Sequence, residues 1–154
     1  MTQADNPGVI VWPPLLFGVV LSAVLLLGWL WPLPDFSRPA TVWVGVTLLF
    51  LGAGLNVWGA LSLRKAGTNI NPSLPSTALV TSGPFRFSRN PLYVAGSLLF
   101  LGLSFVLNNL WGVLALVPLL VVMHYGVILR EERYLEAKFG ESYRQYCSAV
   151  RRYF

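Results

Sequence analysis

The sequence predicts an all-α integral membrane protein with about four transmembrane helices and a C-terminal amphipathic helix. Hydrophobic residues make up 55% of the 154 residues and charged residues only 11%, whereas soluble domains contain about 25% charged residues. The apolar residues gather in four long runs, and about 20 apolar residues in a helix cross the hydrocarbon core of a bilayer. A chain of this length corresponds to one domain, so we predict a single membrane-embedded domain over residues 1–154.

The first two predicted spans cover residues 11–31 and 41–63. Pro13 and Pro14 fall in the first turns of the first span, where proline interferes least with helical hydrogen bonding. No Lys or Arg precedes this run, so it lacks the basic region of a signal peptide and is interpreted as a retained helix. The second span contains four glycines, and such small residues let helix backbones approach closely in lipid.

A polar loop over residues 64–90 follows the second span, and its Asn, Pro and Gly residues argue against a long regular element. Two more spans are predicted at residues 91–107 and 110–129. Asn108 and Asn109 between them indicate a tight turn, so these two spans should form an antiparallel hairpin. The hairpin brings the end of the loop and the beginning of the C-terminal tail to the same face of the membrane.

The tail, residues 130–154, has apolar and aromatic residues spaced mostly three and four apart, which is typical of an amphipathic helix. We expect this helix to break or bend at Gly140 and to lie on the membrane surface or over the loop. Ten of the eleven Lys and Arg residues belong to the loop or the tail, and Arg38 is the exception. The positive-inside rule therefore predicts a multi-pass protein whose loop 64–90 and both termini are cytoplasmic. The same rule accounts for the formal charge of +5 without a nucleic-acid partner.

The chain has one cysteine, Cys147, and one histidine, His124. These counts exclude an intrachain disulfide and argue against zinc sites built from Cys or His, so we expect no metal. Cys147 is interpreted as an ordinary tail residue. His124 lies two helical turns before the Glu131-Glu132 pair and is interpreted as a helix–helix hydrogen-bonding group rather than a base.

The predicted hairpin brings two polar groups of residues together, Arg89-Asn90-Pro91 at the end of the loop and Glu131-Glu132 at the start of the tail. Carboxylates at a membrane boundary are costly unless cations lie nearby, and several arginines flank both groups. One interpretation is an interfacial charge cluster in which Glu pairs with Arg and pins the helix ends. The other is a functional site, which the length of the polar loop favours because long loops in compact domains are usually functional or disordered.

The same segments resemble a known superfamily in order and spacing. Residues 79–93 are LVTSGPFRFSRNPLY, an apolar hairpin follows, then Glu131-Glu132, and residues 139–146 are FGESYRQY. This resembles the isoprenylcysteine carboxyl methyltransferase and phospholipid methyltransferase superfamily. In that superfamily a Gly-Pro-Tyr-Arg segment runs into Arg-His-Pro-x-Tyr, and a helical hairpin, a Glu-Glu pair and Phe-Gly-x-x-Tyr-x-x-Tyr follow. The resemblance covers roughly the C-terminal half of the chain.

The resemblance implies a small helical membrane enzyme that takes S-adenosyl-L-methionine from the cytoplasm, releases S-adenosyl-L-homocysteine and methylates an acceptor that arrives from the bilayer. It implies that Arg89, Asn90 and Glu131 position the reactants, and it assigns no catalytic residue. The residues that it assigns to the donor pocket are Thr77, Ala78, Leu79, Val80, Phe85, Asn90, Pro91, Leu92, Tyr93 and Glu132.

Two positions differ from the superfamily pattern. Asn90 stands where the superfamily usually has His. Asn can donate and accept hydrogen bonds but does not titrate near neutral pH, which argues against a proton-shuttling role. Ile128 stands where the prenylcysteine enzymes have an Arg that contacts the substrate, which weakens the case for a prenylcysteine carboxylate as the acceptor.

The predicted function is therefore S-adenosylmethionine-dependent methyl transfer to a small or lipophilic acceptor whose carboxylate, thiol or amine lies at the cytoplasmic membrane interface. Two alternatives stay open at this point: a non-catalytic membrane module that binds a lipid, and an NADPH-dependent membrane reductase on a related helical scaffold. The lipid bilayer is the expected partner in each case. The sequence indicates neither the identity of the acceptor nor the oligomeric state.

Overall fold

The protein is helical. The computed structural model describes residues 6–34 and 38–153, and these ranges contain no β-strand. The all-α prediction is confirmed. Four apolar helices come first, and two short amphipathic helices follow them. The elements are α1 (Pro13–Leu30), α2 (Arg38–Lys65), a 3₁₀ turn (Gly83–Arg86), α3 (Pro91–Val106), α4 (Leu110–Met123), a π-helical segment (His124–Ile128), α5 (Leu129–Phe139) and α6 (Glu141–Ala149).

Within the described residues, three helical stretches are long and apolar enough to cross a membrane: α1, α2 and Leu110–Phe139, which joins α4, the π-helical segment and α5. The fourth apolar helix, α3, has 16 residues. It is about 24 Å long at 1.5 Å per residue, compared with a hydrocarbon core of about 30 Å. The chain is therefore an integral membrane protein, and the cytoplasmic placement of its loop and termini stays a prediction.

Two boundaries differ from those expected from the sequence. α2 extends from Arg38 to Lys65, a few residues beyond the expected span at each end. The helix of the last span, which is expected over residues 110–129, continues beyond residue 129, because α5 extends it to Phe139. Residues 129–139 contain neither Gly nor Pro and consist mostly of good helix formers. The last span and the first half of the tail are therefore one helix, and the Glu pair lies on it.

Glycines of α2 form its contact with α3, as the sequence predicts. The buried residues of α2 are Gly45, Gly52 and Gly59. A Cβ atom on Gly45 would lie 2.7 Å from the carbonyl oxygen of Gly102, and one on Gly102 would lie 2.8 Å from the carbonyl oxygen of Gly45. The two backbones touch where both helices lack a side chain. This contact positions α3, whose first residue adjoins the polar loop.

The turn between α3 and α4 confirms the prediction made from its two asparagines. Asn108 has a φ of +52°, in the left-handed region that Asn tolerates better than most residues. The Asn109 side chain accepts a hydrogen bond from the backbone nitrogen of Gly112 at 3.2 Å, so it caps α4. It also donates to the carbonyl oxygen of Val24 at 2.9 Å, which ties the hairpin to α1.

The tail breaks at Gly140 as predicted. Gly140 has a φ of +54° and a ψ of −123°, a backbone conformation that is readily open to glycine. In α6, which follows it, Tyr146 is buried, and its hydroxyl donates a hydrogen bond of 2.6 Å to the carbonyl oxygen of Phe85 in the loop. Of the two placements expected for the tail, these contacts place α6 over the loop.

Candidate functional site

The polar loop delivers Asn90 to the beginning of α3. Gly83 adopts a φ of +63° and opens the 3₁₀ turn, after which the chain turns towards the helix. Pro91 occupies the first position of α3, where proline is favoured because its missing N–H needs no helical partner. Asn90 precedes it and is buried, and its carbonyl oxygen accepts the first helical hydrogen bond from Val94 at 3.1 Å. The Asn90 side chain is thus held at the helix N-terminus.

Glu132 is the centre of the charged cluster. Its side chain is only 12% exposed. The Arg152 guanidinium donates hydrogen bonds to both carboxylate oxygens, at 3.0 Å from Nε to Oε1 and 2.8 Å from Nη2 to Oε2, and Arg89 Nη2 lies 3.5 Å from Oε1. These hydrogen bonds to Glu132 raise the pKa of Arg152 above its usual value. The contact is compatible with both interpretations of the cluster, a functional site and a structural ion pair.

Glu131 makes a different contact, with the phenol of Tyr93. The Tyr93 hydroxyl donates a hydrogen bond of 2.6 Å to Oε2 of Glu131. Tyr93 lies in the first turn of α3 and Glu131 in the first turn of α5, so this bond joins the end of the loop to the start of the tail. The hairpin prediction required these two segments to meet, and it is confirmed.

Asn90, Glu131 and Glu132 line one cavity of about 90 Å³ between the loop, the start of α3, α5 and α6. Tyr143 and Tyr146 of α6 contribute to its wall, and burial raises the pKa of both phenols. The structure thus gathers most of the residues that the resemblance assigns to the site. Those that line the cavity are Ala78, Leu79, Val80, Phe85, Arg89, Asn90, Pro91, Leu92, Tyr93, Glu131 and Glu132.

Thr77, the other residue assigned to the donor pocket, is not part of the cavity wall. It is exposed, and its hydroxyl donates a hydrogen bond of 2.7 Å to the carbonyl oxygen of Gly67. Its backbone N–H donates to Oγ1 of Thr68 at 3.0 Å. Thr77 therefore links two parts of the loop, and the buried Thr68 lines the cavity. Nothing in the sequence distinguishes Thr68 from other polar loop residues.

Arg89 has a hydrogen-bond donor with no acceptor. Its Nη1 contacts the sulfur of Cys147 and its Nη2 faces Glu132. Its Nε is buried and has no hydrogen-bond partner among the described residues. Buried N–H groups without a partner are rare and costly. Because Arg89 lines the cavity, this N–H is a candidate donor to a ligand.

The segment 150–153, which the sequence analysis did not assign to the site, runs along it. The backbone N–H of Arg89 donates to the carbonyl oxygen of Arg151 at 3.0 Å. The side-chain nitrogen of Asn90 donates to the carbonyl oxygen of Arg152 at 3.1 Å. In the sequence these two arginines cannot be told apart from the other basic residues of a cytoplasmic tail, so residue type alone gave no reason to choose them.

His124 pairs with the same segment rather than with another span. Its Nδ1 lies 2.6 Å from the hydroxyl of Tyr153. The contact is made from the π-helical segment, an irregularity that is frequent at functional sites. Within residues 6–34 and 38–153, no group of three or more His, Cys, Asp and Glu side chains is arranged to hold a metal ion.

An apolar groove of about 730 Å³ opens between α1, α2 and α3. Aliphatic and aromatic side chains form most of its walls, among them Trp12, Phe17 and Phe100. Ile70, Leu92 and Tyr93 line both this groove and the polar cavity. The two chambers are therefore neighbours, and they adjoin at the first turn of α3 and at Ile70 of the loop.

Curated relatives match the chain over part of its length. The cobalt-zinc-cadmium resistance protein CzcN of Cupriavidus metallidurans is 36% identical over 110 residues, which cover 68% of this chain and 48% of that protein. An uncharacterised protein of Haemophilus influenzae is 37% identical over 62 residues, which cover 40% of this chain and 98% of that protein. The chain thus spans about half the length of the first of these relatives. No solved structure matches the chain.

The sequence profile of the phospholipid methyltransferase family matches residues 40–142, which is more than half of the chain. The matched range includes the polar loop, the α3–α4 hairpin and α5, and therefore Asn90 and both glutamates of the cavity. It also contains most of the motifs on which the resemblance was based. The chain belongs to the phospholipid methyltransferase family, within the isoprenylcysteine carboxyl methyltransferase-like group of integral-membrane methyltransferases.

Proposed function

We propose that the protein transfers a methyl group from S-adenosyl-L-methionine to a small or lipophilic acceptor whose carboxylate, thiol or amine lies at the cytoplasmic face of the membrane. The observation that carries the proposal is that Tyr93 lies on the walls of both a polar cavity and an apolar groove. This arrangement suits a water-soluble donor on one side and a lipophilic acceptor on the other. Family membership supports the methyl-transfer chemistry.

The polar cavity offers partners for each polar group of the donor. S-adenosylmethionine carries a carboxylate, an amino group and two ribose hydroxyls. Glu132 can accept hydrogen bonds from the amino group or the hydroxyls, and the buried Nε–H of Arg89 can donate to the carboxylate. Phe85 and Tyr93 supply aromatic faces for the adenine or the sulfonium.

Donor binding requires the cavity to widen. Its volume of about 90 Å³ is below the range of about 300–1,000 Å³ that is usual for pockets that hold small molecules. One wall is formed by residues within 68–80, which have no helical or strand hydrogen bonding. Segments of this kind move more readily than helices, so we assign the widening to this wall.

Methyl transfer itself is an in-line displacement. The acceptor atom bonds to the methyl carbon while the carbon–sulfur bond breaks, and the electron pair of that bond stays on sulfur. No covalent intermediate with the protein is needed, so positioning and exclusion of water can supply most of the acceleration. A thiol or amine acceptor must also lose a proton. In our proposal that proton passes through the Tyr93 hydroxyl to Glu131, which is 2.6 Å away.

The groove of about 730 Å³ would also suit a non-catalytic module that holds a lipid. Such a module would bind lipid without binding the methyl donor or its product. The reductase alternative differs again, because it requires binding of NADPH. Ligand binding by the purified protein therefore separates the three functions.

Isothermal titration calorimetry with S-adenosylhomocysteine, on the purified protein in detergent, tests the proposal. We expect the wild-type protein to bind, and Glu132→Gln to lose about tenfold or more in affinity, because a charge-assisted hydrogen bond contributes about 1.5–3 kcal/mol. Glu136→Gln is the matched control, since Glu136 lies one turn later on α5 and its side chain is 52% exposed. No heat from the wild-type protein, together with retained lipid binding, would favour the lipid-binding module. Heat with NADPH instead would favour the reductase.

A further inference from the structure

We propose that the segment 150–153 is part of the donor site and that Arg152 is a positioning residue, which holds the Glu132 carboxylate in the orientation that binds the donor. The inference rests on the proposed function, which it deepens by adding a component from the tail. The motifs that carry the resemblance end at Tyr146 and the matched family range ends at residue 142, so neither includes this segment. The contacts of the segment carry the inference.

The segment holds three residues of the site at the same time. The backbone of Arg89 donates to the carbonyl oxygen of Arg151, and the side chain of Asn90 donates to the carbonyl oxygen of Arg152. The Arg152 guanidinium donates hydrogen bonds to both carboxylate oxygens of Glu132. The loop side and the helix side of the cavity are thus connected through two consecutive residues of the tail.

Arg152 makes closer and more numerous contacts with the Glu132 carboxylate than Arg89 does. The closest contact from Arg152 is 2.8 Å and the guanidinium engages both oxygens, whereas Arg89 approaches one oxygen at 3.5 Å. Bidentate guanidinium–carboxylate contacts fix geometry as well as adding energy. Glu131 precedes Glu132 in the chain, so without Arg152 the Glu132 side chain would keep a neighbouring carboxylate and only the more distant cation, Arg89. Its orientation would then be poorly defined.

The hydrogen bond from Asn90 has a similar effect on its amide. An amide side chain can present either its oxygen or its nitrogen to a ligand, and its hydrogen-bond partners decide which. The carbonyl oxygen of Arg152 accepts only from the nitrogen, so it fixes the orientation of the Asn90 amide. Asn90 lies on the cavity wall, and the tail therefore determines which amide atom a donor meets.

Tyr153 and His124 anchor the segment at its far end. The hydroxyl of Tyr153 and Nδ1 of His124 are 2.6 Å apart, and neither residue lines the polar cavity. His124 is on the helix that carries Glu132 two turns later. The segment is therefore fastened to this helix at two levels, once through Tyr153 and once through Arg152.

Calorimetry with S-adenosylhomocysteine on Arg152→Ala, Arg152→Lys and Arg144→Ala tests the inference. We expect Arg152→Ala to weaken binding about tenfold or more, by analogy with metal sites, where loss of a group that orients a metal-binding side chain costs about 10–100-fold. Arg152→Lys should recover part of the loss, because an ammonium pairs with the carboxylate but cannot bind it in the forked geometry. Arg144→Ala is the matched control from the same tail, since Arg144 is 56% exposed and pairs with Glu141 at 2.9 Å, and it should bind as the wild type does.

Hydrogen exchange supplies a readout that does not depend on the donor. In Arg152→Ala the amide of Arg89 should lose protection, while the amides of α1 and α2 keep theirs. If Arg152→Ala does not fold, Tyr153→Phe replaces it, because this variant removes one hydroxyl and should weaken donor binding several-fold and release the same Arg89 amide.

The possible failures are distinguishable. A wild-type protein that does not bind S-adenosylhomocysteine overturns the proposed function and this inference with it. A wild-type protein that binds, together with undiminished binding by Arg152→Ala, overturns only the role of the segment 150–153. Equal losses in Arg152→Ala and Arg144→Ala also overturn it, because they would reflect the general charge of the tail.

Discussion

Replacing Gly45 with Ala should weaken the contact between α2 and α3 that positions the beginning of the site. The added Cβ would lie 2.7 Å from the carbonyl oxygen of Gly102 and 2.8 Å from the backbone nitrogen of Val106. Ordinary van der Waals contact begins at 3.4 Å, so the two backbones must separate by the difference between 2.7 and 3.4 Å at this point. Backbone atoms cannot rotate away as the end of a flexible side chain can, so the whole crossing has to adjust.

The size of the effect follows from two opposing contributions. Overpacking of a tight contact costs about 1–3 kcal/mol, while Ala is favoured over Gly inside a helix by about 1 kcal/mol. Gly54→Ala is the matched control, because it lies on the same helix and a Cβ there meets nothing within 4 Å. The difference in unfolding free energy between the two variants therefore isolates the packing cost.

Thermal unfolding in one detergent, followed by circular dichroism, measures this difference. We expect Gly54→Ala to melt at or above the wild-type temperature and Gly45→Ala roughly 5 °C below Gly54→Ala, since 1 kcal/mol shifts the melting temperature of a chain this size by about 2–4 °C. Equal melting temperatures for the two variants would refute the conclusion that α2 and α3 touch through their glycine backbones.

Three further measurements test the site. Tyr146→Phe removes the hydroxyl that donates to the Phe85 carbonyl, and the buried acceptor left without a partner should lower the unfolding free energy by about 1–3 kcal/mol; an unchanged melting temperature would show that the bond contributes nothing. Tyr93→Phe keeps the ring but breaks the link to Glu131, so turnover of a thiol or amine acceptor should fall about 10²-fold or more with donor affinity retained, and unaltered turnover would contradict the proton path. Burial raises the pKa of Tyr143 and Tyr146 above the usual 10.0, so stability that is present below pH 10 is lost as the pH rises through the raised values. The tyrosinate absorbance that a Tyr143→Phe, Tyr146→Phe double variant lacks should appear in the wild type only together with loss of the helical signal. Its appearance near pH 10 in the folded wild-type protein would count against their burial.

The apolar helices could be predicted because a helix needs about 20 apolar residues to cross the hydrocarbon core of a bilayer, and the chain contains apolar runs of about that length. The turn at Asn108-Asn109 and the break at Gly140 could also be predicted, because Asn and Gly tolerate the positive φ angles that Asn108 and Gly140 adopt. The helix that contains the last predicted span continues for ten residues beyond residue 129, to Phe139. A change from apolar to charged residues marks where a helix leaves the hydrocarbon, but it does not end the helix when the charged residues are good helix formers.

The site was predictable only where side-chain type carries the chemistry. Asn90, Glu131 and Glu132 stand out as polar groups in an apolar chain, and the structure brings them to one cavity. The contribution of segment 150–153 was not predictable, because two of its contacts use the carbonyl oxygens of Arg151 and Arg152. Every residue has a backbone carbonyl oxygen, so the residue type does not indicate that this oxygen will contact the site.

The position of Tyr93 has a consequence for the solubility of the two reactants. Tyr93 lines both a polar chamber and an apolar one, as Ile70 and Leu92 also do, so the two chambers adjoin along these three residues. A polar reagent and a lipophilic one can therefore each reach this boundary from a chamber that suits its solubility. Tyr93→Ala would remove most of one of these three side chains, so we expect it to widen the passage between the two chambers.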